Sequence, residues 1–455
     1  MDSSMTKSLT EGSPFRLIAG FSIPVFFGYL FQQFYNVVDT VIVGQFLGKE
    51  ALAAVGATGS VNFLVIGFCM GVCSGFSIPV AQKFGARQFE IMRRYVVSAG
   101  FLAAAFAAVM AAATALLCRP LLVLMRTPEN IIGGAAAYIR IIFIGIPVIY
   151  LYNITAGIIR ALGDSRTPLC FLVCASVLNI ALDLFFIIVL HLGVAGAALA
   201  TVISQGISGL LCLLFMFRKF SILRMTPNDR KIRPELFPAL CGQGVPMGLQ
   251  YSITAIGSVI LQASVNTLGS DAVAAVAAAT KISMFFATPF DALGTTMATW
   301  GGQNTGAGKF GRLAQGLGVS CAVGAVYSLC AFGTMALFGS ALGRLFLSAK
   351  ETGILEMTRQ FLVANTAFYF PLALVNIVRF LIQGMGFSRF AVLAGVFEMA
   401  ARTAVGVVFV PLFGYGAVCF ASPAAWIMAD CFLIPAFFHC LRTLVRGGIP
   451  GARAG

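Results

Sequence analysis

From residue 15 to residue 441 the chain alternates between long apolar runs and short polar segments. Twelve runs are legible: 15–42, 51–81, 94–117, 134–157, 168–190, 194–217, 237–265, 272–300, 313–338, 357–380, 388–411 and 416–441. A bilayer's hydrocarbon core is roughly 30 Å thick and about 20 helical residues cross it, so each run predicts a transmembrane helix. The strict alternation that an outer-membrane barrel needs is absent. One long polar connector, from Arg218 to Phe237, divides six runs from six. The pattern therefore predicts an all-α polytopic membrane protein of twelve transmembrane helices in two six-helix bundles. The bundles fall at 1–217 and 237–441, with a linker at 218–236 and a tail at 442–455.

Composition agrees with that reading. The 455 residues are 59% hydrophobic and 10% charged, against about 25% charged in soluble domains. The net charge of +14 admits a nucleic-acid partner in principle, but the placement of the cations argues against one. With the N-terminus inside, 21 Lys and Arg flank the spans on the inner side, Arg379 and Arg453 among them. Lys49, Arg119, Arg126, Arg344 and Lys350 are the 5 on the outer side. This bias sets both termini in the cytoplasm, in the inner or plasma membrane of a prokaryote. The first twenty residues are polar and carry no cleavable signal peptide. The 12 cysteines lie mostly inside apolar runs and read as small packing residues.

The two halves repeat. "LGKEALAAVGATG" (47–59) returns as "LGSDAVAAVAAAT" (268–280), 221 residues later, and Pro24 returns as Pro246. "AQKFGA" returns as "GQNTGA", and Gly163 in "LGDSR" returns as Gly386 in "MGFSR". Six spans is an even number, so the halves share one orientation and a pseudo-two-fold along the membrane normal relates them. Such paired bundles suit alternating access.

A carboxylate interrupts the first run. Gly28, Gln32, Tyr35, Asn36 and Asp39 share one helical face, and Pro24 below them predicts a kink. A polar stripe on an apolar span faces the bundle interior or water; packing helices through hydrogen bonds is the plainer role for it. The fifth run offers Asn179 and Asp183 at i,i+4, and the sixth offers Thr201. At about 1.5 Å per residue, Asp39, Asp183 and Thr201 fall in the outer half of the membrane and are able to meet. Two carboxylates, an amide and a hydroxyl form a set of hard oxygen ligands suited to a proton or a small hard cation. Two carboxylates in a dry pocket also resist being charged together.

In order, Pro24, "NVVDTVIVGQFLG", "ALAAVGATGS", "QKFGAR", "RALGDSRTP" and "GQNTGAGKFGR" make the chain resemble the multidrug and toxic compound extrusion (MATE) transporters over nearly its whole length. The resemblance implies an exporter of amphipathic, often cationic compounds driven by inward flow of H⁺ or Na⁺. It is similar to the type with a cation site in the N-terminal half, whose pattern falls on Asp39, Asn179, Asp183 and Thr201, the candidate Na⁺ ligands. The runs at 237–265 and 357–380 hold no carboxylate in their apolar portions, which departs from members with a sodium site there.

The second half carries Lys281, Asp291, Glu398, Arg402 and Asp430 within its runs. Glu398 and Arg402 are spaced to pair; a second proton site or a contact for cationic drug is the sharper reading. Gln32, Tyr35, Asn36, Tyr138 and Asn153 are the expected substrate-cavity residues, since aromatic faces attract cations. "GQNTGAGKFG" lacks the Lys-Ser/Thr ending of a phosphate loop, so no nucleotide is expected. A rival within the same superfamily is a lipid or lipid-linked oligosaccharide flippase, which needs a cationic cavity. An intramembrane enzyme is disfavoured: no G-x-G-D motif flanks the aspartates, and His191 and His439 lie near span ends. The expected protein is a monomer in the lipid bilayer. It has no cofactor and no nucleic-acid partner, only a coupling ion and small-molecule substrates.

Overall fold

The computed structural model describes residues 6–125, 127–344 and 352–447. Arg126, Lys350, Arg453 and the tail beyond Gly447 lie outside the described residues. Apolar side chains with internally satisfied backbone favour helix throughout. Fourteen α-helices result: α1 (Pro14–Gly85), α2 (Phe89–Leu124), α3 (Glu129–Ile144), α4 (Ile146–Ala161), α5 (Arg166–Leu184), α6 (Gly193–Lys219), α7 (Phe237–Asn266), α8 (Ser270–Gly306), α9 (Phe310–Gly343), α10 (Thr352–Ala367), α11 (Tyr369–Gly384), α12 (Ser388–Ala404), α13 (Val410–Phe413) and α14 (Tyr415–Gly447). Two π-helical turns, Phe185–Val189 and Val405–Phe409, extend α5 and α12. No strand occurs among the described residues.

Helix α1 has 72 residues, a length of about 108 Å at the usual rise and far more than one bilayer requires. It divides at Gly48, the one position inside it with non-helical backbone (φ 84°, ψ −175°). Among the described residues nine helical runs have the length and apolarity to cross a membrane. Two bent pairs add one crossing each, α3–α4 at 46° and α10–α11 at 50°. With α1 counted as two, the described residues contain the twelve crossings expected from the hydropathy pattern. Each bend is followed by a proline in the first turn of the next helix, Pro147 in α4 and Pro371 in α11. Proline lacks an N–H, which is tolerated at a helix start but not in a continuous helix. Pro24, by contrast, lies inside α1 with helical backbone around it; it does not break the helix.

The sequence repeat extends to backbone detail. Gly48 and Gly269 (φ 97°, ψ 175°) share one conformation, open essentially to glycine alone. Gly193 and Gly414 both have φ 60°, and Gly163 and Gly386 have φ 89° and 97°. The bends and the π-helical turns recur in the same order.

By internal contacts the chain forms two compact units. The first comprises Ile23–Ser252 with the segment up to Glu11; the second comprises Gly12–Ser22 and the chain from Ile253 onward. Phe76, Leu122, Phe143 and Tyr150 are buried in the core of the first. Val265, Met335, Leu362 and Val418 are buried in that of the second. In the first unit a Cβ on Gly71 would stand 2.5 Å from the Met247 carbonyl oxygen, and one on Gly75 would stand 2.5 Å from Gly244 Cα. Added Cβ atoms at Gly56 and Gly59, by contrast, meet nothing within 4 Å.

The connector after α6 is anchored in the same unit. Phe220 and Leu223 are buried. Asp229 is fully buried and accepts from Arg93 Nε at 2.7 Å, with Arg94 Nε 3.9 Å away. The Thr226 amide and hydroxyl also donate to it, at 3.1 and 2.9 Å. Burial pushes the Asp229 carboxyl up, but the bonds from Arg93 and Thr226 outweigh it and hold the group below the usual carboxylate range.

Two stability outcomes follow. Gly48→Ala lowers stability by about 1–3 kcal/mol through backbone strain, whereas Gly56→Ala does not, as read by thermal unfolding of purified protein in detergent. Asp229→Asn costs about 3 kcal/mol, the range for breaking a buried pair. A depressed carboxyl stabilises the fold above its unfolded value and loses that contribution as pH falls through its folded value. The gap between wild type and Asp229→Asn should therefore be full at neutral pH and close in the acid range below about pH 4.

Candidate functional site

Within the first unit, α1, α5 and α6 bring together the polar residues that interrupt their apolar faces. The Asp39 and Asp183 carboxylates come within hydrogen-bonding reach of each other. Two ionised carboxylates hold only acceptors, so this contact becomes a hydrogen bond when one of them carries a proton. Asp183 has no exposed surface and Asn179 is 2% exposed; Asp39 and Thr201 are half-buried. Asn179 Nδ2 donates to Thr201 Oγ1 at 3.5 Å, and that hydroxyl donates to the Ala197 carbonyl at 3.1 Å. No donor reaches Asp39 Oδ1, Asn179 Oδ1 or either oxygen of Asp183.

The local helix geometry explains this set. Asn179 and Asp183 stand one turn apart on α5, so they share a face. The π-helical turn begins two residues after Asp183, and π-turns inside helices recur at functional sites. In hydrocarbon an unpaired acceptor costs free energy that water or a cation must offset. Four such oxygens facing no donor form a site that accepts positive charge.

Around it lie aromatic and amide groups. Tyr35 is within hydrogen-bonding reach of Gln32 and Gln205 and feels the charges of Asp39 and Asp183. Tyr138, 8% exposed, stands in the field of Asp39, Tyr35 and Asp183. Gln205 was not expected from the sequence; the signal was its position one turn beyond Thr201 on α6. Asn36 is exposed and has no recorded contact with the carboxylates. Asn153 turns back to donate to the Ile149 carbonyl at 2.8 Å, which satisfies it within its own helix.

The glycine-containing turns have structural jobs. Asp164, in "RALGDSR", accepts from the amides of Arg166 and Thr167 at 2.9 and 3.1 Å and so caps α5. In "GQNTGAGKFGR", Arg312 Nε donates to Asn304 Oδ1 at 3.1 Å and its guanidinium lies 4.9 Å from the Trp300 ring. Trp300 Nε1 donates to the Arg312 carbonyl at 3.0 Å.

In the second unit the expected Glu398–Arg402 pair is present at 3.6 Å. Glu398 also pairs with Arg379 of α11. Arg379 is 5% exposed, so it is a buried partner and not one of the flanking inner-side cations, because α11 continues past it to Gly384. Lys281 and Asp291 stand apart on α8 at exposed positions; neither makes an ion pair among the described residues.

A family model described as MatE matches residues 24–185 and matches again at 246–408, the two halves read from the repeat. "Probable multidrug resistance protein YpnP" of Bacillus subtilis is 31% identical over 373 residues, covering 81% of this chain and 82% of its own. An "FAD transporter" of Shewanella oneidensis is 24% identical over 366 residues, covering 80% of each. A solved structure described as the outward-facing conformation of a multidrug resistance MATE family transporter superposes with a TM-score of 0.90. It shares 24% identity and covers 96% of this chain and 98% of its own.

Because Asp183 has no donor to lose, Asp183→Asn should leave folding stability within about 0.5 kcal/mol of wild type or raise it. Thermal unfolding in detergent measures this; a loss of several kcal/mol would mean that the carboxylate is a structural anchor.

Proposed function

The chain belongs to the MatE family of membrane transporters, and we propose that it is a secondary active multidrug exporter. It exchanges H⁺ or Na⁺ for amphipathic, often cationic compounds by alternating access and catalyses no covalent chemistry. It works as a monomer in the plasma membrane of a bacterium, with both termini in the cytoplasm and a six-span half on each side of the 218–236 connector. The observation that carries this reading is the cluster of Asp39, Asn179 and Asp183 beside Thr201, with side-chain oxygens that meet no donor. Oxygens without donors inside an apolar bundle are suited to load a cation and to be left short of positive charge when it departs.

The coupling follows from electrostatics. An entering proton bridges the Asp39 and Asp183 carboxylates; Na⁺ takes the same oxygens together with those of Asn179 and Thr201. Either ion relieves the repulsion between the two carboxylates. Tyr35, Gln32 and Tyr138 lie in the field of that pair, so the cluster's charge decides how strongly they and it attract a cationic drug. Loading the ion weakens that attraction and favours release of drug; losing the ion restores it. A second reading, export of a flavin-nucleotide-like anion, is favoured by the Shewanella relative alone.

Ethidium efflux from an efflux-deficient bacterium tests the proposal. Expression should produce efflux that an uncoupler or removal of Na⁺ abolishes, whichever ion is used. Asp39→Asn and Asp183→Asn should each lower it at least tenfold with normal membrane levels of protein. Undiminished efflux by both variants would sink the coupling role. No efflux of any cationic dye, with FAD moved instead, would favour the second reading.

A further inference from the structure

Four charged side chains are buried together in the second unit, in addition to the site above: Arg379 on α11, Glu398 and Arg402 on α12, and Asp430 on α14. Their exposures are 5%, 3%, 7% and 7%. Glu398 receives both guanidinium groups, Arg379 on Oε1 and Arg402 Nη2 on Oε2. Asp430 is placed differently. It lies in the field of Arg379, whose guanidinium already serves Glu398, and its Oδ1 has no hydrogen-bond partner.

The surrounding elements carry other ionisable groups, among them Arg389 on α12, Tyr369 on α11, Tyr327 on α9, and Tyr415, Cys419, Cys440, Arg442 and Arg446 on α14. The Cys321 thiol of α9 lies within electrostatic reach of Asp430. On α10, Glu356 and Arg359 pair with each other at exposed positions. On α14 itself, Cys431 is exposed and His439 stacks against Phe390. Lys281 and Asp291 of α8 are exposed and have no recorded contact with the cluster.

Charge counting then separates the two carboxylates. With Asp430 ionised the four groups sum to zero; with Asp430 protonated they sum to one positive charge. Protonating Glu398 would break two ion pairs at once. Protonating Asp430 breaks none and supplies a donor where Oδ1 has no partner. Without Asp430 the other three groups sum to one positive charge, and the nearby Arg379 guanidinium repels a metal cation, so the ligand this position takes is H⁺ and not Na⁺.

We propose that Asp430 is a proton-exchanging site of the second unit, separate from the Asp39–Asp183 cluster, with Arg379 as the group that positions and tunes it. The proton moves between solvent and an Asp430 carboxylate oxygen, and the Glu398 ion pairs stay intact in both states. The proposal stands independently of the exporter reading, since it concerns equilibrium proton binding by the protein without substrate.

The chain carries its own reporter. It has 2 tryptophans; Trp426 lies one turn before Asp430 on α14, with its ring 6.2 Å from that of Tyr369. Tryptophan emission of the purified full-length protein in detergent is titrated over roughly pH 5–9, the range that a perturbed buried carboxyl reaches. Wild type should show one transition, Asp39→Asn should keep it, and both Asp430→Asn and Trp426→Phe should lose it. A flat wild-type titration, or an unchanged transition in Asp430→Asn, overturns the proposal. Should Asp430→Asn fail to fold, Arg379→Lys decides the matter: a shifted midpoint supports the proposal, and an unshifted one overturns it.

Discussion

Hydrocarbon offers no hydrogen bonds, so every backbone amide in a membrane span must find its partner within the protein. That constraint explains why the described crossings are helical and where the helices are permitted to stop. Helix α1 runs for 72 residues and departs from helical geometry only at Gly48, where a residue without Cβ turns the chain without strain. The bends before Ile146 and Tyr369 occur where a proline follows closely, so the missing donor falls in a first turn. Because the second half repeats the first, the same solutions recur at Gly269, at the second bend and at the second π-helical turn.

The same constraint governs side chains, and the two units meet it in different ways. In the second unit Glu398 is matched by two arginines, and an ionised Asp430 brings the four groups to zero net charge. In the first unit Asp39 and Asp183 face each other with no cation of the protein's own beside them. Desolvated like charges are unfavourable, and the protein retains the arrangement without an internal partner. Under the proposed exporter reading an external cation is the missing component, and the unfavourable pair is what couples it to drug. Tyr35 stands within hydrogen-bonding reach of Gln32 and Gln205 beside that pair, polar groups that bring no positive charge to it.

Much of this was legible in the sequence, for physical reasons. Twelve apolar runs are visible because length and hydrophobicity are set by bilayer thickness. Asp39, Asn179, Asp183 and Thr201 were found because a polar residue in such a run is conspicuous and helical spacing fixes its face. What escaped depended on rotation about helix axes and on where helices end. Gln205 sits near the middle of α6, where Thr201, Ser204 and Ser208 make one more polar residue inconspicuous. Arg379 reads as an interfacial cation because it falls near the end of its apolar run, yet α11 continues beyond it and its guanidinium turns inward. Asn36 belongs to the polar stripe by spacing but is exposed, and Asn153 satisfies itself by bonding within its helix. The bends in the fourth and tenth crossings left no break in hydrophobicity, since backbone geometry changes there while side-chain character does not.

In the proposed mechanism the Asp39–Asp183 cluster holds the ion that drug export displaces. The most direct measurement is ion release from purified protein on addition of a cationic drug, read with a pH-sensitive dye in weak buffer and in parallel with radioactive sodium. The account predicts release of one of these ions from wild type and none from the Asp39→Asn, Asp183→Asn double variant. Equal release from the double variant would contradict it.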